Sequence, residues 1–493
     1  MFKDDDGLLS RRAVLAALAR AGTAAPFALS SAAALAAQAP RAPSNVKIVG
    51  PAEVSGTKAV LQRKDLKFLG FLRFPTSAGD LWYAEGVLAL RRVGGETRVF
   101  ANGNRTANSP LLEFRLPDTP NPDLASAPTG TLLRTWGSVM AGRTITGGSG
   151  DHYTGGLYWD AARNAVWWSY GDGYVPVQSH PTLGCTVLND SDGTWTSYGP
   201  WRTEWNSQRT RGAFCPVPSD FSAAYTGGKS VGIMASQASG VGGSPFGAIL
   251  SAMTLPDPFS TPADVATNAH WTVANHGIIL HDLDHRQARD TRYKHCGWVS
   301  SAYDCKAGNV NEPGVPLWGG PDPASSNDTM SSMVWVDLPD KHGLLYFGQL
   351  ATTPEGYTAP GDPDGLIHQG YGNAFNYTSP SHLPNMCCHD QDDPWWGTTG
   401  PFAHARVPMG WIYNPNDLIA TAKGQADLWS RRPTDEFQWR SRVPVLNMRY
   451  PSGMFGGAVF DPTTRRIYVM LGGHDTVTAP PNARPVMIVF EVT

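Results

Sequence analysis

The sequence is short of charge. Only 16% of its 493 residues are Asp, Glu, Lys or Arg. A long helical bundle or coiled coil needs a charged, solvated face along every helix, so that figure excludes both. A basic excess is also missing: 39 Lys and Arg face 42 Asp and Glu, a net charge of −3. A nucleic-acid binder carries a positive stripe, so no nucleic acid is expected among the partners. Cysteine is scarce, at six. Beyond the first forty residues no stretch approaches about 18 uninterrupted apolar residues, and no membrane span is expected there. Several catalytic signatures are absent too. There is no complete Gly-x-x-x-x-Gly-Lys-Ser/Thr phosphate loop, no Gly-x-Ser-x-Gly elbow, no His-Glu-x-x-His and no Cys-x-x-Cys-His. Nucleotide hydrolysis, α/β-hydrolase chemistry, zincin proteolysis and attached haem lose support accordingly.

What is abundant is turn formers and aromatics. Gly 53 and Pro 40 make up roughly a fifth of the chain, against a usual combined level of about 12%. That excess calls for many turns between short elements. The 17 Trp, 16 Tyr and 18 Phe can bury a large core. Together they describe a loop-rich, aromatic, β-dominated globular protein.

Residues 1–39 read as an export signal. Arg11-Arg12 precedes a mildly apolar, Ala-rich stretch from Ala13 to Ala37. Small residues then offer a cleavage site at Ala34-Leu35-Ala36 or Ala37-Gln38-Ala39, the second disfavoured by Pro40. The arginine pair resembles a bacterial twin-arginine signal, with Val14 where such signals often carry Phe. Periplasmic or secreted localisation is expected, with no membrane contact after cleavage. Residues 40–60 form an irregular lead-in, and 61–493 one domain.

Cysteine usage fits an oxidising compartment, where an even count suggests disulfides. Cys296 with Cys305 is the nearest local pair, and Cys185 with Cys215 the next. Cys387-Cys388 is vicinal.

A unit recurs along the chain: an apolar strand, a tight Asp/Gly/Asn turn, a second apolar strand ending in Gly, a loop, then a third strand. The clearest copy runs from Gly457 through Asp461-Pro462 and Ile467–Gly472 to Val486–Val492. Others are Gly156–Gly171 and Met333–Gly348. Weaker ones span 82–118 and 229–256. Alternating apolar and polar residues between turn formers are the hairpin signal. The Asp-Pro turn has a mechanism: Pro presets φ, and Asp bonds its own backbone. Such units repeated around a ring describe an all-β fold, a β-propeller of five to seven blades with long loop insertions. A β-sandwich and a double propeller are the alternatives. The longest insertion is 351–408. Helices are nearly absent, with one short turn at Pro415 to Lys423.

The chain also resembles a poorly characterised family of secreted bacterial proteins. The resemblance lies in Phe68–Pro75 (read as a first hairpin), Gly86–Leu90, Ser179-His180, Trp411–Leu418 and the closing Gly457–Val492 unit. These motifs are structural, and the resemblance implies fold and secretion rather than chemistry.

Candidate chemistry sits at strand ends. In a propeller these line the central funnel. His152 lies just before a strand and His180 just after one, with Arg209, Arg211 and Tyr225 following. An Arg beside a substrate carboxylate acidifies its α-proton. A His or Tyr takes that proton, and another serves the leaving oxygen. His152, His180, Arg211 and Tyr225 are therefore candidate catalytic residues of a uronate lyase, with Tyr83, Glu85, Tyr153 and Arg209 as substrate contacts. Glu85, Asp151, Asp172, Glu204 and Asp475 could instead supply paired carboxylates for glycoside hydrolysis. Cys387, Cys388, His389 and Asp390, near His382 and His404, have the residue types for Zn²⁺ or, through the acidic run, Ca²⁺. A second His- and Asp-rich stretch, His276 to His295, is balanced by Arg and Lys and reads as a solvated loop. The expected function is a carbohydrate-active enzyme cleaving an extracellular polysaccharide or oligosaccharide. Two other readings compete: a non-catalytic binding propeller, and a metal-dependent enzyme using 382–404.

Overall fold

Each of the five repeated segments folds into one antiparallel four-stranded sheet, and five such blades complete the ring. Blade 1 holds Leu88–Val93, Glu96–Asn102, Pro110–Arg115 and Thr131–Ser138. Blade 2 holds His152–Asp160, Ala165–Asp172, Leu183–Leu188 and Trp195–Thr203. Blade 3 holds Phe214–Pro216, Val231–Ile233, Ile249–Met253 and Asn275–Leu280. Blade 4 holds Thr329–Asp337, Lys341–Ala351, Arg406–Tyr413 and Asp435–Gln438. Blade 5 holds Phe455–Asp461, Arg466–Asp475, Arg484–Val492 and, from the other end of the chain, Leu66–Arg73.

The computed structural model describes residues 58–78, 81, 87–102, 110–141, 143, 152–172, 181–235, 248–263, 272–280, 298–299, 302–303, 329–351, 356–357, 401–402, 406–439, 443, 455–475, 477 and 484–493. They belong to a unit spanning Val54–Thr493; the other unit, Met1–Glu53, lies outside them.

Neighbouring first strands pack against one another from blade 1 round to blade 5 and back, so the inner strands form a closed ring. Closure is completed by Leu66–Arg73, the outer strand of the last blade, which pairs with Arg484–Val492. The segment Phe68–Pro75 is thus no hairpin of its own. It supplies a strand to the sheet begun almost four hundred residues later.

Strand periodicity explains the cores. Successive side chains point to opposite faces, and each blade is covered on both. In blade 4, Leu344 and Tyr346 face blade 3, whereas Leu345 and Phe347 face blade 5. In blade 2, Trp168 packs toward blade 1 and Trp167 toward blade 3. Ile467, Val469 and Leu471 meet blade 4, while Tyr468 and Met470 meet blade 1. Five apolar layers result, one at each blade junction. An aromatic buried there removes about 150–250 Å² from water, worth about 4–6 kcal/mol.

The inner hairpins of blades 2 and 5 share one turn design. Asp160 Oδ1 accepts from Ala162 N at 3.0 Å, and Asp461 Oδ1 from Thr463 N at 3.0 Å. Each turn ends in a residue with left-handed backbone, Asn164 (φ 50°) and Arg465 (φ 56°). Asn164 tolerates that region better than most residues. Arg465 is anchored there by two 3.0 Å bonds to Asp340 of blade 4.

Short parallel strands also extend the edges of two blades. Ala59–Val60, within the lead-in, pairs in parallel with Lys341–His342, and Thr272–Val273 pairs in parallel with Arg202–Thr203. The described α-helices are Ser219–Tyr225 and Ile419–Ala422. The second falls where the short helical turn was expected; the first was not anticipated. No described helix is long and apolar enough to cross a membrane.

Cys185 and Cys215 are buried free thiols, so the expected bond between them is not formed. Cys185 lies in the third strand of blade 2 and Cys215 in the inner strand of blade 3. Burial pushes both thiols well above their usual range. Cys296, Cys305, Cys387 and Cys388 lie outside the described residues.

Candidate functional site

The propeller has two unlike ends. At the turn end, inner and second strands are joined closely, as at Val93/Glu96, Asp160/Ala165, Asp337/Lys341 and Asp461/Arg466. At the loop end, inner strands begin and second strands finish. The stretch 351–408 spans the connection between the second and third strands of blade 4 and takes in the end of one and the start of the other.

Between the ends the axis is apolar. Each inner strand contributes three residues to a cavity of about 200 Å³, among them Leu90, Tyr158, Cys215, Val334 and Val459. Polar chemistry is therefore confined to one end or the other.

Blade 2 supplies the polar groups at the loop end. His152 opens its inner strand and lies in register with Asp172, and Tyr153 with Gly171. One residue further, Thr154 Oγ1 accepts from the fully buried Asn102 of blade 1 at 2.9 Å. The connection from blade 2 to blade 3 folds back over this strand end. Its Thr210 hydroxyl lies 2.7 Å from Thr203 Oγ1 and 3.2 Å from Thr182 Oγ1. Ser169 Oγ donates to the Gly212 carbonyl at 2.8 Å.

Arg211 rides on this connection and is 1% exposed. Two glycines make room for it. A Cβ on Gly155 would lie 1.6 Å from the Arg211 carbonyl oxygen, and one on Gly171 would lie 2.4 Å from Arg211 Cδ. The arginine stem thus lies on the backbone of the residue paired with Tyr153. Arg209 ends the short 3₁₀ turn Ser207–Arg209, capped by Asn206 Oδ1, which accepts from Arg209 N at 3.2 Å. Its guanidinium lies 5.9 Å from the centre of the Trp205 ring.

His152, Tyr153, Arg209 and Arg211 therefore come from segments that meet at the loop end of blade 2. Tyr225 does not join them. It ends the helix Ser219–Tyr225, which connects the inner and second strands of blade 3 at the turn end. There it packs on Phe221 at 5.0 Å, with Lys423 Nζ 5.2 Å from its ring centre. His180, Tyr83, Glu85 and the proposed metal ligands Cys387, Cys388, His389 and Asp390 lie outside the described residues. No cluster of three potential metal ligands occurs among the described ones.

Two candidate carboxylates, Asp475 and Glu204, have structural partners. Asp475 is fully buried; it pairs with Arg73 Nε at 3.1 Å and accepts from Val477 N at 3.1 Å. Glu204 Oε2 accepts from Asn275 N at 3.1 Å. A second group of titratable side chains was not anticipated from the sequence: Lys58, Asp220, Asp337 and His342 line one cavity at the turn end. Their wide separation along the chain left no local motif to read.

No family model matches the chain, and neither does any curated protein. Solved structures give remote likenesses. A mutant α-L-arabinanase from Cellvibrio cellulosa is 9% identical over 83% of this chain and 91% of that one, with a TM-score of 0.35. A glycosyl hydrolase from Bacteroides ovatus is 11% identical over 88% and 97%, with a TM-score of 0.33. An α-L-arabinofuranosidase from Podospora anserina, in complex with cellotriose, is 11% identical over 87% and 98%, with a TM-score of 0.31. The five-bladed architecture rests on this chain's own strand order rather than on these likenesses.

Proposed function

We propose that the protein is an exported carbohydrate-active enzyme that cleaves an extracellular polysaccharide at the loop end of the propeller. One observation carries this reading. The register and packing of blade 2 bring His152, Tyr153 and the Arg211 backbone segment to the same strand end. A proton acceptor, a hydroxyl and a cation are the parts needed to remove a proton beside a uronate carboxylate. With Tyr225 at the other end, Tyr153 takes the place of the hydroxyl in this scheme. Arg211 is buried, so its charge acts from beneath, and the more exposed Arg209 is the better direct partner for a substrate carboxylate. The twin-arginine pattern at Arg11-Arg12 supports export.

The test is incubation with a panel of uronate-containing polysaccharides. The expected result is ultraviolet absorbance from newly formed unsaturated ends, lost in His152→Ala. Reducing ends without that absorbance would replace elimination by hydrolysis. Neither signal on any acidic or neutral glycan would overturn the enzyme reading. A second reading, a binding-only propeller, draws on the burial of Arg211; it predicts glycan retention with no cleavage.

A further inference from the structure

The connection 204–213 between blades 2 and 3 carries both arginines of the loop-end site. Its one regular element is the 3₁₀ turn Ser207–Arg209. A loop holds a side chain in place only where its backbone is tied to a rigid element. Two ties bracket Arg211. After it, Gly212 accepts from Ser169 Oγ at 2.8 Å and donates from N to the Met234 carbonyl at 2.9 Å. Before it stands Thr210, which caps the C-terminal end of the 3₁₀ turn and is fully buried.

The direction of the bonds around Thr210 follows from the single proton of each hydroxyl. Thr203 Oγ1 gives its proton to the Trp205 carbonyl at 2.8 Å. Its oxygen is then the acceptor for Thr210, at 2.7 Å, a closer partner than the Asn206 carbonyl at 3.2 Å. The Thr210 oxygen accepts in turn from Thr182 at 3.2 Å. The three hydroxyls form a chain that ends on the Trp205 carbonyl, and each donates once. Its outer members belong to blade 2. Thr203 ends the fourth strand. Thr182 is laced between the second and fourth strands, through Tyr170 N at 2.8 Å and the Trp201 carbonyl at 3.0 Å. None of the three threonines is more than 8% exposed, so water competes little for these bonds. The backbone and stem of Arg211 sit against Gly155 and Gly171 with no room for even a Cβ. A small shift of the connection therefore displaces the guanidinium.

We propose that Thr210 is the positioning residue for Arg209 and Arg211, and that through them it sets a preference for acidic over neutral glycans, a role that rests on cleavage at the loop end. Thr210 touches no substrate. Its hydroxyl fixes the connection to blade 2, and the arginines read the carboxylate.

The experiment compares cleavage of a uronate polysaccharide with cleavage of its methyl-esterified form, which has the same backbone and no charge. The parent is expected to show the higher kcat/KM on the acidic form. Thr210→Val keeps the shape of the side chain and removes the hydroxyl. The acid-to-ester ratio should then fall about threefold or more, the scale of one lost buried hydrogen bond. Thr210→Ser, which keeps the hydroxyl, should restore it. Thr186→Val is the comparison within the same blade. It removes a buried hydroxyl that accepts from Trp168 Nε1 at 3.0 Å and lies 2.9 Å from Ser197 Oγ, and it should lower stability without moving the ratio. If Thr210→Val does not fold, Thr203→Val takes its place with the same expected fall, because the Thr210 proton can then turn to the Asn206 carbonyl. A ratio that is unchanged in the valine variant, not restored by serine, or lowered equally by Thr186→Val overturns the role of Thr210 and leaves the cleavage reading intact. A parent no faster on the acid than on the ester overturns carboxylate reading by the arginines, and with it this role. A parent that cleaves no glycan overturns the cleavage reading and this role together.

Discussion

Arg92, at the turn end of blade 1, donates from its guanidinium to Asp461, which ends the inner strand of blade 5. The carboxylate is fully buried, and it also accepts from Thr463 N at 3.0 Å and Thr464 Oγ1 at 2.7 Å. One side chain thus shapes its own turn and ties the last blade to the first. A ring closed by non-covalent contacts needs such ties, because no peptide bond joins the inner strands of these two blades.

Asp461→Ala is expected to destabilise the protein by about 3 kcal/mol, the scale for breaking a buried ion pair from one side. Arg92 is partly exposed and can reach water, which holds the loss near the lower end of that range. Chemical denaturation of parent and variant measures it. A loss below about 0.5 kcal/mol, the level of an ordinary surface change, would show that the pair does not hold the seam.

Gly171→Ala should drive the Arg211 stem out of its place, since the new Cβ would lie 2.4 Å from Arg211 Cδ. Overpacking of this kind costs about 1–3 kcal/mol. On the proposed function, cleavage should fall by more than stability does. Activity at parental levels in a measurably destabilised variant would separate Arg211 from the chemistry.

The pH dependence of stability should carry a contribution from His342. Burial, and then the Lys58 charge, hold its folded value below the ordinary 6.5. Between those two values the unfolded chain binds a proton that the folded chain does not, so stability rises with pH. The contribution is present above about pH 6.5 and is lost as pH falls toward the folded value. Thermal unfolding at about pH 7.5 and about pH 5 should show a larger acid loss in the parent than in His342→Gln. Equal losses would contradict the assignment. Carboxylates held low by hydrogen bonds, such as Asp190 beside Arg91, stay ionised across this window and add their own loss only below about pH 5.

Cys185 and Cys215 should resist alkylation in the native protein. Both are buried, and desolvation keeps the thiolate form scarce. Peptide mapping after iodoacetamide treatment should find them unmodified before unfolding and modified after it without a reductant. A requirement for reductant would mean that they are oxidised.

Replacing Arg11-Arg12 by Lys-Lys should abolish export and leave precursor inside the cell. Immunoblots of cell fractions read this directly. Undiminished export would assign the leader to the general secretory route.

Much of the fold was legible from local pattern. Asp461-Pro462 and Asp160 mark turns because an aspartate can bond the backbone two residues on, and the structure has both bonds. The apolar run Leu344-Leu345-Tyr346-Phe347 reads as the second strand of a hairpin unit, and its side chains alternate between two blade junctions. The five repeat copies became the five blades. Phe68–Pro75 misled because its strand character is local but its partner, Arg484–Val492, is not. The candidate site was legible only in part. His152 and Tyr153 were recognisable from their place before a strand, and Arg211 joins them through glycine-lined packing that no spacing rule encodes. Tyr225 stands only fourteen residues beyond Arg211, yet a short inner strand carries the chain to the opposite end.

By itself, then, the sequence determined most strand and turn positions and five repeated cores within a range of five to seven blades, all of which are set by neighbours a few residues away. Tertiary structure decided which strand closes the ring, which end of the axis each polar residue occupies, and that Lys58, Asp220, Asp337 and His342 share one cavity. Those outcomes depend on contacts across hundreds of residues. They are chosen by the joint packing of five blades, whose free energy no local segment contains.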